Sequence, residues 1–489
     1  LTRTPTLKFD RGTLILHPPP KCKAWVDYFE WDDRVEKFRA YAYRYREIVT
    51  ELHTSDASFT DEARAFSEVN LAPGMEMKPY RHQSEALARW QQAGKRGVVV
   101  LPTAAGKTYL AQLAMQIAAR STLIVVPTLD LMHQWYAHLV AAFPDVEVGL
   151  LGGGSRDRTP LLVATYDSAA INAETLGDRY GLLVFDECHH LPTDFNRAIA
   201  EYSIAPYRLG LTATPDRTDG RHSDLDLLIG REVYRKTAEE LSGKALADHE
   251  IVQIKVKLSS QERDRYDRLT ETRNQFLRES HISLGSMQGW QNFVQASARS
   301  RSGRRAMLAH RQAKEIALGT GGKLRVVADL LAQHYPERVL IFTNDNATVY
   351  RISQDLLIPA ITHQTPVKER HAILTRFREG ECKTLVTSHV LNEGVDVPDA
   401  SVAILLSGTG SAREYIQRLG RILRRGSDPN KRAILYEVIA ENTSEERTSE
   451  RRRGDRTNLK AMSSSQQLGI VYGGESYDSP KAAERSVDW

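Results

Sequence analysis

Gly97-Val-Val-Val-Leu-Pro-Thr-Ala-Ala-Gly-Lys-Thr108 joins an apolar run to a stretch, Tyr109 to Arg120, whose apolar residues recur at helical spacing. A buried strand, a turn of small residues closing on Gly-Lys-Thr, and a helix make a phosphate-binding loop. Backbone N–H groups at the start of a helix lack an intrahelical acceptor and point outward, so they can hold a nucleotide phosphate. Thr103, Ala105, Gly106, Lys107 and Thr108 are therefore the expected ATP contacts. Lys107 adds a point charge at the β- and γ-phosphates, and the Thr108 hydroxyl is an expected Mg²⁺ ligand. Gly106 lets the backbone come close to the phosphates. Ala104 stands where such loops usually carry glycine, and alanine is penalised wherever φ must be positive.

A chain of 489 residues is too long for one core and predicts two to four domains. With 41% apolar and 26% charged residues the composition is that of an ordinary globular protein, which excludes disordered and fibrous classes. No apolar run approaches a membrane span and no signal-peptide core opens the chain, so no membrane partner and a cytoplasmic location are expected. Cys22, Cys188 and Cys382 are odd in number and scattered, which suggests neither a disulfide framework nor a Cys-rich metal site. The net charge of +4 permits nucleic-acid binding without arguing for it.

Upstream of the loop, residues 1–74 look like a small separate module. Thr6 to Leu16 predicts two short strands around the turn Asp10-Arg11-Gly12, and Pro18-Pro-Pro20 stops them. Asp33 to Glu51 predicts an amphipathic helix with a band of Tyr41, Tyr43, Arg44, Tyr45 and Arg46. Interleaved aromatic and basic residues suit DNA, although the packed and solvated faces of one helix account for any single one of them. In Lys78-Pro-Tyr-Arg-His-Gln83, Gln83 offers the donor and acceptor that match the N6 and N7 edge of adenine, and Arg81 is a further expected ATP contact.

Beyond the loop, Thr122–Val126, Leu161–Thr165 and Gly181–Phe185 are apolar runs alternating with helical patterns, which argues for a parallel sheet covered on both faces. Ligands collect at the carboxyl ends of such strands. The third run ends in Asp186-Glu-Cys-His-His190. Asp186 is expected to hold Mg²⁺ through water, and Glu187 to orient or deprotonate the attacking water. Adjacent histidines rarely face one ion, so zinc is not suggested. In Arg208 to Pro215, a fourth strand ends in Thr212 and Thr214. With His189, these are expected to couple the acids to the state of the γ-phosphate.

A second alternating α/β unit begins near Lys323, with strands at Arg338–Thr343 and Cys382–Ser388 and no second Gly-Lys-Thr. One half therefore binds the nucleotide and the other can only complete the site. Gln417, Arg421 and Arg424 recur at helical spacing and share one face, as arginine fingers worth about 10³ to 10⁵ in turnover do. Between the halves, 258–320 reads as helical and Arg-rich, with Arg299, Arg301, Arg304 and Arg305 as either a solvated face or a nucleic-acid contact. From Glu441 the chain turns charged, then Ser-, Gln- and Gly-rich, and is expected to be a mobile tail.

In order, Gln83, Gly106-Lys-Thr108, Asp186-Glu-Cys-His189 and Thr212-Ala-Thr214 resemble the motifs of a superfamily 2 helicase. Gly210-Leu-Thr-Ala-Thr-Pro-Asp-Arg-Thr-Asp-Gly-Arg-His222 is similar to the XPB family, translocases of nucleotide excision repair and, in eukaryotes, of transcription-factor-IIH promoter opening. The resemblance runs from Lys8 to Ile439. It implies an α/β chain with two RecA-like parallel-sheet domains, a damage-recognition-like module (1–74) and a thumb-like helical insertion. The expected boundaries are 75–240 for the ATP-binding domain, 241–322 for linker and insertion, 323–440 for the second domain and 441–489 for the tail. It places Gly394 and Asp396 near the nucleotide. Thr128, Thr165, Thr387, Ser388, Arg304 and Arg305 are expected to contact DNA. Arg217 to Asp219 would be an Arg-Glu-Asp element implicated in DNA opening, with Thr218 replacing the Glu and one charge fewer. The implied activity is ATP- and Mg²⁺-dependent DNA translocation or helicase action of 3′ to 5′ polarity, with an endonuclease as a possible partner. An RNA helicase, a restriction-type translocase and an ATP-gated DNA clamp that loads a nuclease are the alternatives.

Overall fold

The computed structural model describes residues 4–20, 25–55, 58–74, 78–215, 219–241, 248–284, 287–388, 400–406, 432–446 and 470–472. Two compact units meet in sequence near Leu241.

In the first unit, Thr6–Asp10 and Thr13–His17 form the expected hairpin, with Arg11 and Gly12 at φ +46° and +86° in its turn. They belong to a five-stranded sheet in the order Glu30–Asp32, Lys37–Tyr41, Thr13–His17, Thr6–Asp10, Thr60–Asp61. The helix expected over Asp33 to Glu51 is corrected here, because Lys37–Tyr41 is a strand and the helix spans only Tyr45–Thr54. Period-two packing wins locally. Ala40 is buried and Phe38 packs edge-on against Trp25, while Arg39 between them pairs with Asp10 and Asp32 at 2.6 and 3.1 Å. The aromatic and basic band divides accordingly. Tyr45 is buried and donates to Asp61 Oδ2, Arg46 donates to Gly94 O at 2.6 Å, and Tyr41 stays exposed. Residues after the module run along the rest of the unit, with Ala65 N, Val69 N and Ser121 N donating to Asp178 O, Ala119 O and Ser67 O. Ile204 completes the module's core.

The main sheet of this unit has eight strands, ordered Glu232–Arg235, Arg96–Val100, Tyr207–Thr212, Leu182–Asp186, Thr122–Val126, Leu161–Thr165, Val148–Gly152, Ser155–Arg156. All but the last pair in parallel. Fully buried residues such as Val125, Val163, Val184 and Phe185 explain the uninterrupted apolar runs, since both faces are covered.

The second unit carries a seven-stranded parallel sheet in the order Ala360–Ile361, Thr384–Thr387, Val339–Phe342, Val402–Leu405, Arg432–Ala440, Asp248–Val256, Ile470–Tyr472. Asp248–Val256, expected within the linker and insertion, is thus a sheet strand, nine residues in register with Arg432–Ala440. Its alternation of polar residues with buried Val252, Ile254 and Val256 masks it in the sequence. The insertion itself is three helices, Ser260–Glu279, Met287–Arg299 and Arg301–Gly319, around a small core of Phe276, Phe293 and Ala306. Glu262 closes its base. Its carboxylate accepts from Ser259 N and Oγ at the entry and from Thr320 Oγ1 and Gly321 N at the exit, at 2.9 to 3.3 Å. The tail expectation is also corrected at its start. Glu445 is buried, and fully buried Lys323 donates to Glu445 Oε2 and Leu406 O, each at 2.6 Å.

Candidate active site

The loop between Val100 and Lys107 takes two left-handed residues, Ala104 at φ +69° and Gly106 at φ +76°, and Gly106 caps the helix Lys107–Ala118. The penalty anticipated at Ala104 is therefore present in the backbone. Two side chains of the helix Arg81–Gln92 hold the loop from beneath. His82 Nε2 lies 2.8 Å from Ala105 O, and Gln83 Nε2 donates to Gly106 O at 3.1 Å. Gln83 Oε1 accepts from Tyr80 N at 2.8 Å, so the amide is braced by backbone on both sides, with a lone pair left over. Arg81 is exposed and turned along its own helix onto Glu85 Oε1, 2.8 Å away.

Lys107 Nζ donates to Leu101 O at 3.2 Å and stands 3.9 Å from Glu187 Oε1. The Thr103 hydroxyl is buried without a hydrogen-bond partner among the described residues. An unmet hydroxyl, a free helix N-terminus and a lysine in one loop suit a polyphosphate.

Asp186 ends its strand at the carboxyl edge, buried. Its Oδ2 accepts from Trp135 Nε1 at 2.8 Å, its Oδ1 from Glu187 N at 3.0 Å, and its backbone oxygen from the Tyr166 hydroxyl at 3.0 Å. Burial, and next the charge of Glu187, raise its carboxyl above the ordinary range, against the pull of Lys107 and Trp135. Glu187 follows in a left-handed conformation, φ +47°. Its Oε2 meets Thr212 Oγ1 at 3.4 Å and His189 Nδ1 at 3.5 Å, and His189 Nδ1 is 3.2 Å from Thr212 Oγ1. Thr214 N donates to Thr212 Oγ1 at 3.2 Å, which brings all three expected coupling residues together. Burial and the adjacent carboxylates push the Cys188 thiol well up, so it stays a protonated core group. The two carboxylates outnumber the single lysine. Such an excess of hard oxygen charge fits a magnesium ion held by Asp186 and Thr108 together with nucleotide phosphates.

Thr128 and Thr165 cap the helices Leu129–Ala142 and Tyr166–Ile171, accepting from Leu131 N and Ser168 N, each at 3.3 Å. Asp219 accepts from Arg221 N. In the second unit Thr387 and Ser388 are buried where their strand ends, and Arg304 and Arg305 are exposed in the first turns of Arg301–Gly319. Arg217, Gly394, Asp396, Gln417, Arg421 and Arg424 lie outside the described residues. His82, Trp135 and Tyr166 escaped the sequence reading. Trp135 and Tyr166 carry no signal that separates them from core aromatics, whereas His82 is adjacent to Gln83 and faces the same loop.

Three family descriptions match the chain: the xeroderma pigmentosum group B helicase damage recognition domain over residues 7–63, the type III restriction enzyme res subunit over 76–217, and the helicase conserved C-terminal domain over 322–426. A protein of Sulfurisphaera tokodaii named DNA 3′-5′ translocase XPB2 is 38% identical over 431 residues, covering 88% of this chain and 97% of that one. The chain belongs to the XPB family. A Mycobacterium tuberculosis relative named DNA 3′-5′ helicase XPB is 32% identical over 71% of this chain, which spans only 58% of that longer XPB protein. Among solved structures, the Pyrococcus furiosus Hef helicase domain (TM-score 0.51, 20% identity, 77% of this chain and 100% of that one) shares the fold. So does Saccharomyces cerevisiae Dbp5 bound to RNA and ADP BeF3 (TM-score 0.53, 14% identity, 81% and 90%). The two parallel sheets of the XPB chain are accordingly RecA-like.

Proposed function

We propose that this protein is an ATP-dependent DNA translocase that opens duplex DNA in nucleotide excision repair, moving 3′ to 5′. The observation that carries this reading is buried Asp186 and partly buried Glu187 beside Lys107, at the end of a strand packed among the phosphate-loop elements, in a chain 38% identical to a named translocase. Magnesium, when bound, neutralises the phosphate oxygens as charge develops on them. The chain's own residues do the rest. Lys107 and the loop amides fix the β- and γ-phosphates. Glu187, held by Thr212 and His189, orients the attacking water and takes its proton.

Gln417, Arg421 and Arg424 complete the site from the second half as charge-stabilising groups, and Gly394 and Asp396 contribute near the nucleotide. Thr128, Thr165, Thr387 and Ser388 grip one strand's phosphates, and Arg217 to Asp219 part the duplex. Arg304 and Arg305 follow the strand. They sit, with Arg301, at the positive end of a helix with no acid in its first turn, an arrangement that macrodipole repulsion disfavours unless an anion lies nearby. An endonuclease partner and a cytoplasmic location belong to this reading; among the described residues no helix is long and apolar enough to cross a membrane.

The test is ATP turnover with single-stranded DNA, duplex DNA and RNA, followed by triplex displacement. DNA stimulation with displacement supports the reading. Best stimulation by RNA overturns it, and hydrolysis without displacement replaces translocation by a clamp.

A further inference from the structure

Two aromatic side chains touch Asp186, and each stands on a helix that begins at a threonine proposed to contact DNA. Trp135, 1% exposed, sits on Leu129–Ala142 and donates its indole N–H to the Asp186 carboxylate at 2.8 Å. Thr128 caps that helix. Tyr166, 4% exposed, opens Tyr166–Ile171 and donates its hydroxyl to the Asp186 backbone oxygen at 3.0 Å. Thr165 caps that one. The strands Thr122–Val126 and Leu161–Thr165 lie side by side, and Leu182–Asp186 is the next neighbour of the first. Both caps and both donors therefore occupy one carboxyl edge of one sheet.

We propose that Trp135 and Tyr166 are positioning residues: they fix the orientation of Asp186 for the nucleotide's divalent metal and pass a displacement of Thr128 and Thr165 on to it when a strand binds. The metal half rests on these hydrogen bonds and on the proposed role of Asp186 toward magnesium. The transmission half rests on the proposed DNA translocase function.

A carboxylate with one oxygen tied to an indole and the other to Glu187 N–H has its plane set, and its remaining lone pairs point where the protein directs them. Magnesium demands near-octahedral geometry and fixes its water ligands accordingly, so a rotated carboxylate would accept poorly from those waters. Outer partners of metal ligands typically cost 10- to 100-fold in metal affinity or activity when removed. Seven residues separate Thr128 from Trp135, about 10 Å along a rigid helix. A shift at the cap therefore moves the indole rather than being absorbed between them.

The test uses the full chain with Trp135→Phe and Tyr166→Phe; the second deletes a single oxygen and keeps the ring. Binding of a fluorescent ADP analogue is titrated with Mg²⁺, thermal unfolding checks folding, and turnover is measured with and without DNA. We expect the Mg²⁺ needed for half-maximal ADP binding to rise about tenfold or more in Trp135→Phe, and by less in Tyr166→Phe. The ratio of DNA-stimulated to DNA-free turnover is expected to fall in both. An unchanged Mg²⁺ requirement in the folded variants, with only the unfolding temperature lowered, makes both residues plain core and overturns the proposal. A raised Mg²⁺ requirement with full DNA stimulation overturns the transmission half. If wild-type turnover ignores DNA, the translocase reading fails while the Mg²⁺ titration still decides the metal half. Should Trp135→Phe not fold, Tyr166→Phe alone decides in the same way.

Discussion

Two left-handed residues two positions apart in the phosphate loop should respond oppositely to exchange. Gly106→Ala places a Cβ at φ +76° and 2.3 Å from Gln83 Nε2. The left-handed penalty for a residue with a Cβ is about 1–2 kcal/mol. Displacing the Gln83 amide forfeits its bond to Gly106 O, about 1 kcal/mol more. The expected loss is about 2–3 kcal/mol. Ala104→Gly at φ +69° removes the same penalty but returns about 0.4–1 kcal/mol of freedom to the unfolded chain. It should therefore gain about 0.5–1 kcal/mol. At about 2–4 °C per kcal/mol for a unit of this size, calorimetry should show the first variant's unit melting roughly 4–12 °C lower and the second's about 1–4 °C higher. Nucleotide affinity should drop only in Gly106→Ala. A lower melting temperature for Ala104→Gly, or a harmless Gly106→Ala, would refute the loop conformation on which the arithmetic rests.

Lys107→Ala and Arg424→Ala should both abolish hydrolysis, but only the first should greatly weaken ATP binding, because a finger acts on the transition state; equal loss of ATP affinity in both contradicts the assignment. For Asp186, the folded-state carboxyl is raised, so the folded chain holds its proton longer than the unfolded chain. That contribution to stability is present at low pH and is lost as pH rises from the unfolded value through the folded one, about 1.4 kcal/mol for each pH unit between the two. Metal-free Asp186→Asn should therefore gain on wild type between pH 5 and pH 7.5 in thermal unfolding, and no relative gain would contradict the burial argument. Lys323→Met removes the cation from beside buried Glu445, leaving its charge uncompensated by that lysine, and should cost about 3–5 kcal/mol. Adding Glu445→Leu should recover much of that in denaturant unfolding, and no recovery would mean the pair is not coupled. DNA affinity should fall steeply with salt, since phosphate contacts dominate; a flat response in a binding titration would argue against it.

The catalytic half was legible because its chemistry and its backbone share a signal. Buried parallel strands show as unbroken apolar runs, and Gly106-Lys-Thr108 and Asp186-Glu187 stand at their ends. Lys37–Tyr41 was misread as helix because Tyr45, Ile48 and Leu52 of the true helix follow so closely that one period hides the other. Asp248–Val256 was missed because an alternating edge-like pattern resembles a linker when its partner strand lies almost two hundred residues away. The loop that Gln83 serves was legible and its backbone partners there were not, since residue type states what an amide can bond, not which acceptor is nearer. Trp135 and Tyr166 matter through where their polar atoms end, and aromatic residues in a core announce only their rings.

The Glu262 carboxylate ties the point where the three-helix insertion leaves its sheet to the point where it returns. Tyr266, Ala313 and Ala317 pack on Leu258 and Ala440, and Arg263 donates to Glu441 O and Asn442 O, so the sheet meets the insertion at its base. What lies beyond that base can be lengthened, shortened or exchanged with little effect on the strands below, provided Arg263, Tyr266, Ala313 and Ala317 are kept. The insertion is thus an interchangeable tool on a fixed handle, and a chimaera that keeps this base, joined beyond Tyr266 and before Ala313, should inherit the grip of its donor while keeping the engine of its host.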